Sequence, residues 1–218
     1  MIISIANIKG GSGKTTSSAL LVSGLLQQGH KVATLDCDPL SPFHDWMSEV
    51  AGKTNLSARA TKTADIPRHL ESFRNKADYI VVDLSAASDA TNALTFALSD
   101  FVLVPMQGSA VDARGALHTL QLLQLVGENR RAPISSAVVL TRLNPMVLTH
   151  SARHVGAVLS ERHIPLLDAA ILERSAYRDM FITMSSLFRS ENRKIHNLQK
   201  ARNDILCLTE AVKRRLTH

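Results

Sequence analysis

The stretch IISIANIKGGSGKTT, residues 2–16, decides the architecture. Ile2 to Ile5 is a short apolar run without regular polar alternation, the pattern of a strand buried on both faces. Gly10, Gly11 and Gly13 follow, and glycines can adopt backbone angles that aim successive amides at one point. Lys14 then opens a helix expected to run to Gln28 and to close at Gly29. Strand, glycine turn and helix N-terminus in that order form a corner that attracts anions, phosphate above all. The general phosphate-loop pattern GxxxxGK[ST] is not met, because the position of its first glycine is held by another residue; the match is to the variant KGGxGKT[ST], Lys9 to Thr16. In such a loop Gly10, Gly11, Ser12 and Gly13 cradle phosphates, and the Lys14 ammonium reaches the β and γ phosphates. The Thr15 hydroxyl coordinates Mg²⁺, and Thr16 donates to the α phosphate.

Working outward, short apolar runs alternate with longer amphipathic segments, as expected of a parallel sheet covered by helices. Strands are expected at Ile2–Ile5, Lys31–Asp36, Tyr79–Asp83, Phe101–Pro105, Ala137–Leu140 and near Ile164–Leu167. Helices are expected from Lys14 to Gln28, from Ala113 to Val126 before Gly127, and from Arg193 to Leu216. Residues 40–77, with Pro42, Pro67 and several Thr and Lys, read as irregular loops. The fold class is therefore doubly wound α/β, a mainly parallel sheet with helices on both faces, and 218 residues suit a single domain spanning 1–218.

A hydrophobic fraction of 45% with 20% charged residues fits a globular chain. The apolar start lacks the basic flank and cleavage site of a signal peptide, and no run reaches spanning length, so a cytoplasmic protein without a membrane partner is expected. Cys37 and Cys207 lack metal-site spacing and read as buried thiols, which argues against a reductase or metal chaperone. The net charge of +6 is uneven: residues 1–109 hold 9 Lys and Arg against 10 Asp and Glu, whereas residues 110–218 hold 16 against 9. A basic half suits a polyanionic partner.

Three carboxylates end strands at the sheet edge where open α/β folds bind nucleotides. Asp36 and Asp38 close the second strand in TLDCDPL, and Asp83 closes YIVVD.

Lys9 to Thr16 resembles the deviant phosphate loop of the ParA/MinD superfamily of P-loop ATPases, and the resemblance spans nearly the whole chain. It implies ATP/ADP and Mg²⁺ as cofactors and a weak ATPase. Lys9 is the counterpart of the lysine that reaches across an ATP-dependent homodimer. Asp38 matches the aspartate that orients the attacking water, Asp83 the one that holds Mg²⁺, and Asp36 an outer support for loop or metal. Thr141, Arg142 and Asn144 in LTRLN fall where the base is contacted. Small partition proteins of this type also imply non-specific DNA, a ParB-like centromere-binding partner and a nucleoid location. Arg174, Arg178, Arg189, Arg193 and Lys194 are then the candidate DNA contacts. A related role in conjugative DNA transfer and a MinD-like membrane switch stand as alternatives, the latter weakened by the few large apolar residues in AVKRRLTH, residues 211–218.

Overall fold

Why one apolar run sits at the centre of the sheet follows from its neighbours. In the computed structural model, which describes residues 1–51, 56–60, 62–84, 88–147, 150–189 and 195–217, seven parallel strands lie in the order β3-β2-β4-β1-β5-β6-β7. They are β1 (Ile2–Ile5), β2 (Val32–Asp36), β3 (Leu56–Arg59), β4 (Tyr79–Asp83), β5 (Phe101–Gln107), β6 (Ser135–Leu143) and β7 (Leu166–Leu172). The helices are α1 (Lys14–Gln27), α2 (Pro42–Ala51), α3 (Ile66–Arg74), α4 (Asp89–Leu98), α5 (Ala110–Arg130), α6 (His150–Glu161), α7 (Ser175–Ile182) and α8 (Leu198–Leu216).

Side chains alternate across each strand, so β1 sends Ile3 and Ile5 to one core and Ile2 to the other. The first core holds apolar residues of α1, α2, α7 and α8, and the second those of α3, α4, α5 and α6. Both faces are covered, which is the doubly wound arrangement expected. Because β1 lies between β4 and β5, the connections diverge at its carboxyl end and leave a crevice there.

The described part of residues 40–77 is more ordered than expected. It forms α2, β3, a short 3-10 turn at Thr63–Asp65, and α3. Pro42 opens α2, where a missing N–H is harmless, and Phe43, Trp46, Met47 and Val50 recur at helical spacing and are buried. Among the described residues β3 pairs only with β2, and its sequence LSAR has no apolar run to announce it. α5 continues through Gly127, where the chain returns so closely that a Cβ would lie 3.3 Å from the Ala132 carbonyl oxygen. β7 begins later than Ile164 and runs through Asp168 to Leu172. Cys207 is exposed, a correction to the buried thiol expected, while Cys37 is buried and its thiol is pushed up to about 12 by desolvation.

Candidate nucleotide site

Gly11 and Gly13 take φ of +75° and +99°, left-handed values that a side chain would strain, and Gly13 precedes α1 without a capping side chain. The first amides of α1 thus face the crevice. Lys14 folds back over the loop, its Nζ 3.4 Å from the Lys9 carbonyl oxygen. Burial lowers its pKa, against the opposing pull of Asp83 and Asp38.

The acidic flank lies on β2 and β4, whose ends pair Asp36 with Asp83. Asp83 is fully buried; desolvation raises its pKa to about 7, opposed by hydrogen bonds from the Thr15 and Ser18 hydroxyls and by Lys14, and reinforced by Asp36. Ser18 Oγ donates to Asp83 Oδ1 at 3.2 Å. A buried carboxylate beside a hydroxyl and an ammonium has the donor set of a cation and phosphate site. Asp36 instead accepts three backbone N–H bonds, from Asp38 at 2.9 Å, Phe43 at 2.9 Å and His44 at 3.0 Å. It therefore ties the Asp38 loop and caps α2 from outside that helix, and burial, the largest influence, still raises its pKa. Asp38 Oδ1 accepts the Leu40 N–H at 2.9 Å, and Ser41, with φ +49°, closes the turn on the Asp38 carbonyl.

On the opposite flank Lys9 forms an ion pair with Asp112, a buried residue in the first turn of α5 that also accepts from Ser109. Gly115 makes room for this approach, because a Cβ there would meet Asn7 Oδ1 at 2.8 Å and Lys9 Cβ at 2.9 Å.

A cavity of about 230 Å³ opens beside Gly13 and Thr16, walled by Thr141, Arg142, Glu173, Tyr177, Arg178 and Phe181 among others. Of the three base candidates, Thr141 and Arg142 line it. Asn144 lies on a neighbouring groove, with its Oδ1 accepting the Met146 and Val147 N–H groups. Thr141 is buried and its hydroxyl donates to the Ser12 carbonyl at 2.9 Å. Gln107, which nothing in its local sequence singles out, does the same for Gly11.

The candidate DNA residues do not form one free surface. Arg174 is half-withdrawn into an ion pair with Asp204 at 2.6 Å, and Tyr177 donates to the same carboxylate at 3.3 Å. Arg178 pairs with Glu173, and Arg189 donates to the Val50 carbonyl at 2.7 Å, closing the C-terminal end of α2. Arg193 and Lys194 lie outside the described residues.

The sequence model of the VirC1 protein family matches residues 1–218. Protein ParA of Rhizobium radiobacter is 28% identical over 181 residues, 83% of this chain and 82% of that protein. Protein virC1 of Rhizobium radiobacter is 26% identical over 185 residues, 82% of this chain and 79% of that protein. In fold, the chain matches an ATP complex of McdA from Cyanothece with a TM-score of 0.73, at 18% identity, over 97% of this chain and 96% of that one.

Proposed function

The chain belongs to the VirC1 protein family, whose fold is that of the ParA/MinD-type P-loop ATPases, and on that premise we propose that it is an ATP-driven switch acting on DNA. Two copies join on ATP, bind duplex DNA without sequence preference, and separate after hydrolysis stimulated by a ParB-like partner. The observation that carries this reading is the loop itself, with Lys14 folded over it, Asp83 buried beside Thr15, and Lys9 held at its rim.

The residues present fit nucleotide and Mg²⁺. Ser12 Oγ is buried inside the loop without a partner among the described residues, and a buried carboxylate whose pKa is raised to about 7 by desolvation suits a neighbouring cation. Bound with the nucleotide, Mg²⁺ would neutralise phosphate charge. Thr15 and Asp83 would hold it, Asp83 through water, while Asp36 fixes the loop that carries Asp38. Asp38 would orient the attacking water, a positioning task suited to phosphoryl transfer. Lys9 must leave Asp112 to reach a second copy, so that ion pair opposes dimerisation until ATP offers more negative charge.

Contacts with DNA would be phosphate contacts, supported by the excess of positive charge in residues 110–218. Exposed Arg142, Arg153 and Lys200, which have no protein partner among the described residues, join Arg178 as cations able to make them. The cargo is plasmid or chromosomal DNA in partition. Conjugative DNA transfer is the alternative use of the same switch. The membrane reading gains no support from α8, because Ala201, Ile205, Leu208, Ala211 and Val212 are buried in the chain's own core. No helix among the described residues is long and apolar enough to cross a membrane.

The deciding test is duplex DNA binding with ATP, with ADP and without nucleotide, across a salt series. ATP-dependent, salt-sensitive binding is expected. Dimerisation on ATP without DNA binding in any state would sink the DNA reading, and ATP binding with no phosphate release would reduce the chain to a nucleotide-timed dimer.

A further inference from the structure

Three consecutive carbonyls of the phosphate loop are held from behind. Gln107 Nε2 donates to the Gly11 oxygen at 2.9 Å, and Thr141 Oγ1 donates to the Ser12 oxygen at 2.9 Å. The Ser17 N–H and hydroxyl donate to the Gly13 oxygen at 2.9 and 2.8 Å. Gln107 and Thr141 are register partners at the ends of β5 and β6, so neighbouring strands present one side chain each to successive peptide groups.

A trans peptide is planar, and its C=O and N–H point in opposite directions. Fixing the carbonyls of Gly11, Ser12 and Gly13 on one side therefore aims the amides of Ser12, Gly13 and Lys14 to the other. None of those three amides meets a protein acceptor among the described residues. Thr141 also braces Gly13 by contact, since a Cβ on that glycine would lie 3.4 Å from the Thr141 methyl carbon. An amide nest of this kind is a receptor for anions, and it works best when its shape exists before the anion arrives.

The geometry points to Gln107 and Thr141 as a pair of positioning residues that hold the loop open for phosphate in advance of nucleotide. Thr141 then acts on the phosphates through Ser12, and not on the base. This rests on the reading above that the corner binds nucleotide phosphates.

Thr141→Val keeps the shape and removes the hydroxyl, and Gln107→Met keeps the length and removes the donor. Dissociation constants for ATP and for inorganic triphosphate, with the thermal midpoint of the nucleotide-free protein, are measured for wild type, both variants and Thr141→Ser. Each of the first two variants is expected to weaken both ligands by about threefold to tenfold, the range of one net hydrogen bond, and Thr141→Ser to restore affinity. A merely structural role would lower the thermal midpoint and leave both affinities unchanged, which overturns the proposal. A loss confined to ATP, with inorganic triphosphate bound normally, moves Thr141 to the base and also overturns it. Wild type that binds neither ligand removes the nucleotide reading itself, an outcome distinct from variants that bind as wild type does.

Discussion

The two flanks of β1 end in opposite chemistry at the same sheet edge. β2 and β4 deliver Asp36 and Asp83, buried carboxylates whose pKa values burial raises. β5 and β6 deliver Gln107 and Thr141, neutral side chains that hold loop carbonyls. One flank supplies charge and so responds to pH and cations; the other fixes backbone direction and should respond to neither. A phosphate site needs both, because charge without aimed amides attracts an anion and does not place it.

The largest way to break that division is at its centre. Lys14→Ala removes the ammonium shared by loop and acidic flank, and ATP affinity should fall about 100-fold or more, as expected for lost charge-assisted contacts. Equilibrium binding checks it, and affinity within a few-fold of wild type would refute the placement of Lys14 on phosphate.

Next in size is the acidic flank alone. Asp83 has a folded pKa of about 7 against an ordinary 3.8, so the native state holds its proton more tightly than the unfolded chain. The charged residue therefore weakens the fold progressively as pH rises from about 4 to 7, and fully above that. Asp83→Asn should stabilise the nucleotide-free protein by about 2 to 4 kcal/mol at pH 8 and by far less at pH 5. Denaturant melts at the two pH values in a chelator read this out; equal gains at both would mean that charge burial is not the cause. The same variant should lose the Mg²⁺ dependence of ATP binding.

A smaller effect sharpens the flank on the β5 side. Gly115→Ala improves helix propensity, yet its Cβ would press on Asn7 and Lys9, so an overpacking loss of about 1 to 3 kcal/mol is expected. That loss should appear as weaker ATP binding and a lower thermal midpoint, unchanged between pH 6 and 8. Smallest of all, Arg178→Ala removes an exposed pair with Glu173 and should shift unfolding by less than about 1 kcal/mol. A larger shift in a thermal melt would show that this arginine does more than pair at the surface.

Elements with local determinants were legible in the sequence. β1 and β4 fall at the expected residues and α1 within one, because a short, mostly apolar run, a glycine turn and a basic helix start carry their own instructions. α2 was missed because its cap, Asp36, lies on the preceding strand, several residues before the helix begins. Arg174 read as a free surface cation because Asp204, which neutralises it, is 30 positions away.

The sequence by itself therefore determined the phosphate loop, the strand ends with their aspartates, the doubly wound class and the surplus of positive charge. Each of these rests on local patterns or on composition, and none requires knowing which distant residue a side chain meets. Only the tertiary structure decided which charges remain free and what each polar side chain faces. It set Lys9 on Asp112, Arg189 on the end of α2, and Gln107 beside Thr141 beneath the loop. Those pairings join residues more than 30 positions apart, and in a sheet of this order register and crossover geometry bring them together.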